Sequence, residues 1–266
     1  MDEDKEHIKN LKFRDDTLLK ARKVFYRLSK PFVDLDKEII SRISTEGSLK
    51  ILDVGCGNGD LLIKLRNTGF SGEMKGIDFS EGIINNARDA GKGTGIDFRI
   101  GEAEHLPFRD DFFDIIIAKH VLHLVGRPQQ AFNEIWRCLK KGGKFICVLH
   151  TARNKPFIHA LEKEINEKFK VSIMHTSKNV TMEDADQYFE AFKVLEKKSF
   201  ESKVELKEAK PFVDYFETLK YSWVPKLTEE QWKLIVETVR RFVEQMIKDQ
   251  GHFIELNSNG LIVAKK

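Results

Sequence analysis

The stretch ILDVGCGNGD, residues 51–60, sets a carboxylate, Asp53, two positions before the first of three closely spaced glycines, Gly55, Gly57 and Gly59. A glycine-rich turn after an apolar run and before a helical pattern lets backbone approach a ligand closely. A P-loop would require Lys and Ser or Thr after the last glycine, but Asp60 and Leu61 stand there. The dinucleotide pattern is G-x-G-x-x-G, and the spacing here is one residue short. Asp53 would repel a pyrophosphate and suits a cation. Asp78 comes 19 residues after Gly59, where a carboxylate at a strand end can accept hydrogen bonds from both ribose hydroxyls. These residues read as a site for a nucleoside that carries a positive group and no phosphates. S-adenosylmethionine, with a ribose, an ammonium and a sulfonium, has that chemistry.

The elements that must position these groups follow from periodicity. Short apolar runs at 49–54, 73–79, 96–100, 112–118 and 143–149 alternate with helical patterns at 59–67, 81–90 and 128–140, with a short helix expected near 103. That alternation implies parallel βαβ units with helices on both faces of one sheet. KKGGK before the fifth run reads as a helix C-cap, and the basic string RCLKKGGK as a last helical turn suited to the helix dipole. Upstream, Leu18, Ala21, Phe25 and Leu28 share one face of an amphipathic helix. Downstream, Phe157, Leu161, Ile165 and Phe169 form a helical stripe, and TMED at 181–184 has the form of a capping box. Residues 192–200 read as a strand. Thr228 and Gln231 open a helix to about 249, and 252–264 is extended.

The 266 residues suffice for one full core with an appended part. A formal net charge of +3, nearly balanced over 151–210, argues against a nucleic-acid partner. Three cysteines without CxxC spacing suggest a reducing cytoplasm, with no disulfide framework and no zinc site. The charged start MDEDKEHIKN is unlike a signal peptide, and no apolar run approaches the ~20 residues of a membrane span.

ILDVGCGNG, GIDFS, GEAEHLPF, FDIIIAKHVLHLV and EIWRCLKKGGKF occur in that order, and together resemble the class I S-adenosylmethionine-dependent methyltransferases. The likeness is to the small-molecule branch that includes the ubiquinone/menaquinone-biosynthesis and malonyl-carrier-protein enzymes. It implies a Rossmann-like α/β fold, a seven-stranded, mostly parallel sheet with its last strand antiparallel. Residues 1–45 would be a helical segment covering the cofactor, and 46–266 the methyltransferase domain. Within it, 201–250 would be a helical cap between the last two strands, carrying Phe212, Tyr215, Phe216, Tyr221, Trp223 and Trp232.

The resemblance further implies site roles. Asp53 and the turn Gly55, Cys56, Gly57 and Gly59 would hold the methionine moiety. Asp78, expected to face solvent, would bind the ribose, and Phe79 would lie against the adenine. Glu102, where the family often has Asp, and Ala103 would contact the adenine amino group. Lys119 and His120 would sit near the methyl donor, and Tyr26 resembles an N-terminal aromatic that covers it, though Arg27 replaces the usual following Asp.

Methyl transfer from a sulfonium is an in-line displacement in which the protein aligns the partners and excludes water. His120 and His123 are the candidate bases; if helical, they share a face. The sequence lacks the Asn/Asp-Pro-Pro-aromatic motif of amino-methylating nucleic-acid enzymes. The reading is therefore a cytoplasmic enzyme, monomer or homodimer. It would methylate a small-molecule acceptor, with no metal, and release S-adenosyl-L-homocysteine. An RNA-modifying methyltransferase and a cofactor-binding protein without catalysis remain alternatives.

Overall fold

The computed structural model describes residues 17–44, 48–169, 180–220 and 227–266, so Tyr221 and Trp223 lie outside the described residues. Seven strands form one sheet in the order β3-β2-β1-β4-β5-β7-β6. They are β1 Lys50–Val54, β2 Glu73–Asp78, β3 Asp97–Ile100, β4 Phe113–Lys119, β5 Leu139–His150, β6 Lys193–Leu206 and β7 Phe253–Lys265. The β1–β2, β1–β4, β2–β3 and β4–β5 pairs are parallel, whereas β5 pairs with residues 259–265 of β7 antiparallel. The central strands are apolar without alternation because helices cover both faces; Ile115, Ile116, Ile117 and Ala118 of β4 are all buried.

The helices are α1 Thr17–Arg27, α2 Leu35–Ile40, α3 Asp60–Asn67, α4 Glu81–Ala90, α5 Pro128–Cys138, α6 Pro156–Phe169, α7 Lys210–Glu217 and α8 Glu229–Gln250. Their starts carry local signals. Ser80 caps α4 by accepting from the Ile83 N–H at 3.4 Å. Thr228 and Gln231 form the expected reciprocal capping box on α8, and Gly251 ends that helix at φ +81.

Local patterns were misleading at several points. KKGGK is not a C-cap: α5 stops at Cys138 and the chain goes directly into β5, with the Gly142 N–H donating to the Lys266 carbonyl. Lys140 pairs with Asp114 at 2.7 Å instead of facing a helix terminus. TMED opens no α-helix. Asp184 accepts from the Thr181 N–H at 2.6 Å in a turn, and a short 3-10 helix follows at Ala185–Tyr188. The stretch near 103 is a turn closed by an isolated bridge between Glu102 and His105.

Among the described residues, the chain divides into two compact units. Of the described residues, the first comprises 17–33, 153–169, 200–220 and 227–258. Its core joins Phe25, Ile158, Phe212, Tyr215, Phe216, Trp232, Val239 and Phe253. Phe25 stacks on Tyr215 at 4.4 Å and Phe216 on Trp232 at 5.4 Å, so these aromatics serve this unit's own packing. No helix among the described residues is long and apolar enough to cross a membrane.

The described residues of the second unit are 34–44, 48–152, 180–199 and 259–266. Its core gathers Leu52, Val54, Ile77, Phe113, Ile116, Phe132, Phe145 and Ile262. Arg42 fixes α2 within it through a bond to Glu196 at 2.5 Å. Gly76 on β2 lies against the turn after β1: a Cβ there would come within 2.8 Å of Phe98 and 2.9 Å of the Cys56 sulfur. Gly76→Ala should therefore lower stability by about 1–3 kcal/mol through overpacking. Urea denaturation would show this as a lower midpoint at unchanged slope, and an unchanged midpoint would contradict it.

Candidate functional site

The turn after β1 is left-handed at each of its glycines, with φ +70 at Gly55, +56 at Gly57 and +80 at Gly59. Side-chain-bearing residues rarely adopt this conformation, and two of the positions are also crowded. A Cβ on Gly55 would approach Val121 to 2.6 Å, and one on Gly59 would approach the Phe98 ring to 2.6 Å. The Cys56 N–H donates to the Ile77 carbonyl at 2.8 Å, which ties the turn to β2. Gly59 is also the N-cap position of α3, so the turn delivers the chain into a helix whose first amides lack intrahelical acceptors.

Asp78 closes this arrangement. Its Oδ2 accepts from the Gly57 N–H and its Oδ1 from the Ser80 N–H, both at 3.1 Å. The expectation of a solvent-facing Asp78 is therefore incorrect: the residue is only 8% exposed. Burial raises its pKa above the ordinary carboxylate value, partly offset by the amides of Ser80, Gly57 and Phe79. Sequence reasoning placed Asp78 at the strand end correctly but could not show that the turn itself would use the carboxylate.

Asp53, on β1, is 2% exposed, and its Oδ1 has no hydrogen-bond partner among the described residues. Burial pushes its pKa up to about 7, with the charges of Asp36 and Asp78 adding to the rise and Lys119 opposing it. A buried carboxyl with an unsatisfied oxygen beside a glycine-rich turn fits a ligand carrying a cation or a donor. The residues here thus fit the cationic nucleoside that the sequence implies.

Lys119, at the end of β4, is held by a residue that sequence analysis did not single out. Asp36 on α2 accepts from Lys119 Nζ and from Lys64 Nζ, each at 2.5 Å. Burial would raise Asp36, but the two ammonium groups more than offset it and hold it at about 2. The separation of 83 residues between Asp36 and Lys119 explains why no local pattern revealed the pair.

Glu102 is exposed and Ala103 buried, both on the turn after β3, and Phe79 is half-buried after β2. Glu104, also missed, is buried and accepts from the Gly126 N–H at 3.1 Å, which braces the loop that carries His123. His120 and His123 do not lie on a helix; they occupy a bend and a turn after β4, with His120 at φ +55. Their rings are nonetheless 6.4 Å apart, and a third ring joins them: His150, at the end of β5, is 4.5 Å from His120 and 5.0 Å from His123.

Tyr26 belongs to the other unit. There its hydroxyl accepts from Lys155 Nζ at 2.7 Å, and its ring meets that of Tyr215 edge-on at 5.9 Å. Burial alone would raise the Tyr26 phenol; the Lys155 and Arg22 charges outweigh it and hold it below its ordinary value. Among the described residues, no group of His, Cys, Asp or Glu could hold a metal ion.

The site residues of the second unit thus line the carboxyl ends of the strands, the usual ligand edge of an open α/β sheet. A methyltransferase-domain family model matches residues 45–210. The chain is 35% identical over 116 residues to a demethylmenaquinone methyltransferase of Bacillus cytotoxicus, covering 42% of this chain and 49% of that one. It is 27% identical over 121 residues to a ubiquinone/menaquinone biosynthesis C-methyltransferase of Desulfotalea psychrophila, covering 46% and 49%. The chain spans about half the length of the curated relatives it matches. A putative methyltransferase structure from Bacillus halodurans shares the fold at 20% identity, with TM-score 0.62, over 87% of this chain and 98% of that one.

Two outcomes follow from the carboxylates. Asp53 has a folded pKa of about 7 and an ordinary unfolded value of about 4, so the native state holds its proton over that window. Stability attributable to this group is full below about pH 4 and is lost as pH rises toward about 7. Asp53→Asn should therefore stabilise the protein at pH 8 by about 2 kcal/mol more than at pH 5, read from urea denaturation; equal effects would contradict the assignment. Asp78→Ala should destabilise by about 1–3 kcal/mol, because the Gly57 and Ser80 amides lose their acceptor. A wild-type melting curve for that variant would rule this out.

Proposed function

Because the chain belongs to the methyltransferase-domain family, we propose that it transfers a methyl group from S-adenosylmethionine to a small-molecule acceptor. The observation that carries this reading is Asp53: a buried carboxyl with an unsatisfied oxygen beside a left-handed glycine turn. A cationic ligand favours the ionised carboxylate, and a pyrophosphate does not.

The cofactor supplies a methyl group on a sulfonium. Asp53 and the turn of Gly55, Cys56, Gly57 and Gly59 would hold its methionine end. Asp78 would offer carboxylate oxygens to the ribose while keeping its bonds to the turn. Phe79, Glu102 and Ala103 would frame the adenine. Lys119, tethered to Asp36, has little freedom to pair with a ligand carboxylate elsewhere, so its charge acts by its fixed position. His120 and His123, at the end of β4, would face the acceptor side. The protein's contribution to an in-line transfer is then alignment and exclusion of water. The names of the relatives support an apolar acceptor of the quinol class, and demethylmenaquinol is the first to test.

S-adenosylmethionine and S-adenosyl-L-homocysteine should each raise the melting temperature, with stabilisation of about 2.7 kcal/mol at a hundredfold excess over Kd. NAD and ATP should leave it unchanged. Radiolabelled methyl groups should appear in demethylmenaquinol or another member of a small-molecule acceptor panel. A shift with NAD alone would overturn the reading, and stabilisation without any transfer would leave a binding protein.

A further inference from the structure

Three neighbouring strands each place one charged residue on the same face of the sheet, at their carboxyl ends. In the parallel registers, Asp53 of β1 is opposite Gly76 of β2 and Ile117 of β4. Side chains two apart on a strand share a face, so Asp78 and Lys119 stand on the Asp53 side. Adjacent strands are about 4.8 Å apart and two residues advance about 6.6 Å, which sets the Asp53 and Lys119 backbones about 8 Å apart. A lysine side chain can cross that distance. Yet Lys119 Nζ bonds Asp36 at 2.5 Å, while Asp53 Oδ1 stays buried without a partner among the described residues. We propose that Asp36 is a positioning residue that holds Lys119 away from Asp53 and so keeps Asp53 open to the ligand's cation. The proposal rests on the methyltransferase reading and deepens it by naming what keeps the donor subsite receptive.

The latch is built from elements that are fixed without the ligand. Asp34 caps the start of α2 by accepting from the Lys37 N–H at 3.1 Å. Ile39 of α2 is fully buried, and Arg42 just after the helix bonds Glu196 of β6. The Arg42 carbonyl in turn accepts from Lys144 Nζ of β5 at 2.7 Å, so α2 is held at its far end as well. The two lysines divide the Asp36 carboxylate between them: Lys119 Nζ takes Oδ1, and Lys64 Nζ of α3 takes Oδ2 at 2.5 Å. The Asp36 side chain is only 12% exposed, so water competes weakly for these bonds.

The charges around Asp53 decide which partner it takes. Lys119 of β4 is the cation that reaches it, and Asp36 of α2 and Asp78 of β2 are the anions. The Cys56 thiol of the glycine turn, pushed up by burial and by both aspartates, stays neutral. With Asp36 in place, Lys119 pairs with a carboxyl that is ionised far below neutrality, and that pairing displaces no proton. To pair with Asp53 instead, it would have to draw a proton off a buried carboxyl that lies near Asp78. Without Asp36, Asp53 becomes the acceptor on the Lys119 face of the sheet. A Lys119–Asp53 ion pair would then occupy the oxygen that a ligand cation needs. Asp36 thus acts through Lys119 and touches no ligand itself.

Carbon-13 spectra of aspartate-labelled protein follow the Asp53 carboxyl through a pH titration without any ligand, with Asp53→Asn identifying the signal. In the wild type the midpoint should lie at about 7. In Asp36→Asn it should fall by about 1–3 pH units, the effect of a cation newly paired with a carboxylate. Asp36→Glu, which keeps the anion, should titrate close to the wild type. Adding Lys119→Met to Asp36→Asn should return the midpoint to the wild-type value or above. A wild-type midpoint at or below about 4 would place Lys119 on Asp53 already and overturn the proposal, with no variant needed. So would an Asp36→Asn midpoint equal to that of the wild type. In calorimetry at pH 7, Asp36→Asn should bind S-adenosylmethionine about 10-fold or more weakly, and Lys119→Met in that background should recover most of the loss. A loss that the second substitution leaves in place would overturn the proposal by showing Asp36 to be structural. If the wild-type protein binds no S-adenosylmethionine, the methyltransferase reading fails, whereas the ligand-free titration still decides the role of Asp36.

Discussion

The turn at 55–59 can exist only where its amides find acceptors and its glycines find room. Asp78 supplies the first condition through Gly57 while its other oxygen holds the Ser80 N–H after β2, and the Ile77 carbonyl supplies another acceptor through Cys56. Phe98 and Val121 leave no space for side chains at Gly59 and Gly55. These contacts join the ends of β1 and β2, and with them the start of α3, into one rigid corner. The same carboxylate that would meet a ribose thus also builds the corner, so binding and folding share an atom.

Around that corner the charges are unevenly settled. Asp36 is satisfied twice, by Lys119 and Lys64, and sits far down the acidity scale. Asp53, which the Lys119 charge also reaches, remains near neutrality with an oxygen unsatisfied among the described residues. The contrast is physical: two lysines hydrogen-bond one carboxyl, whereas the other feels the Lys119 charge without a bond to one of its oxygens. A cation arriving at Asp53 would supply the partner that folding withholds.

The strand–turn–helix pattern around the glycines was legible because it is local. Each of the seven strands lies where an apolar run predicts it, within a few residues except where β5 and β6 run longer. The helix at Thr228 announces itself through side chains three residues apart. What the sequence hid is long-range. Asp36 and Lys119 are 83 residues apart, and no local pattern pairs them. KKGGK misled because two glycines after lysines suit a helix end and a strand start equally. Pairing of residues 142 and 143 with Lys266, at the far terminus, decided between them. His120 and His123 came together as expected, but by a left-handed bend and a turn instead of a helix.

A cation arriving at Asp53 would displace the proton that burial keeps there. Titration calorimetry with S-adenosylmethionine at pH 6, in buffers of different ionisation enthalpy, measures that proton directly. At this pH the ligand's ammonium is fully charged, and Asp53, with a pKa near about 7, is mainly protonated. Binding should release close to one proton per site in the wild type and almost none in Asp53→Asn. Tight binding with no proton release, or the same release in both proteins, would contradict the claim that this carboxylate receives the cation.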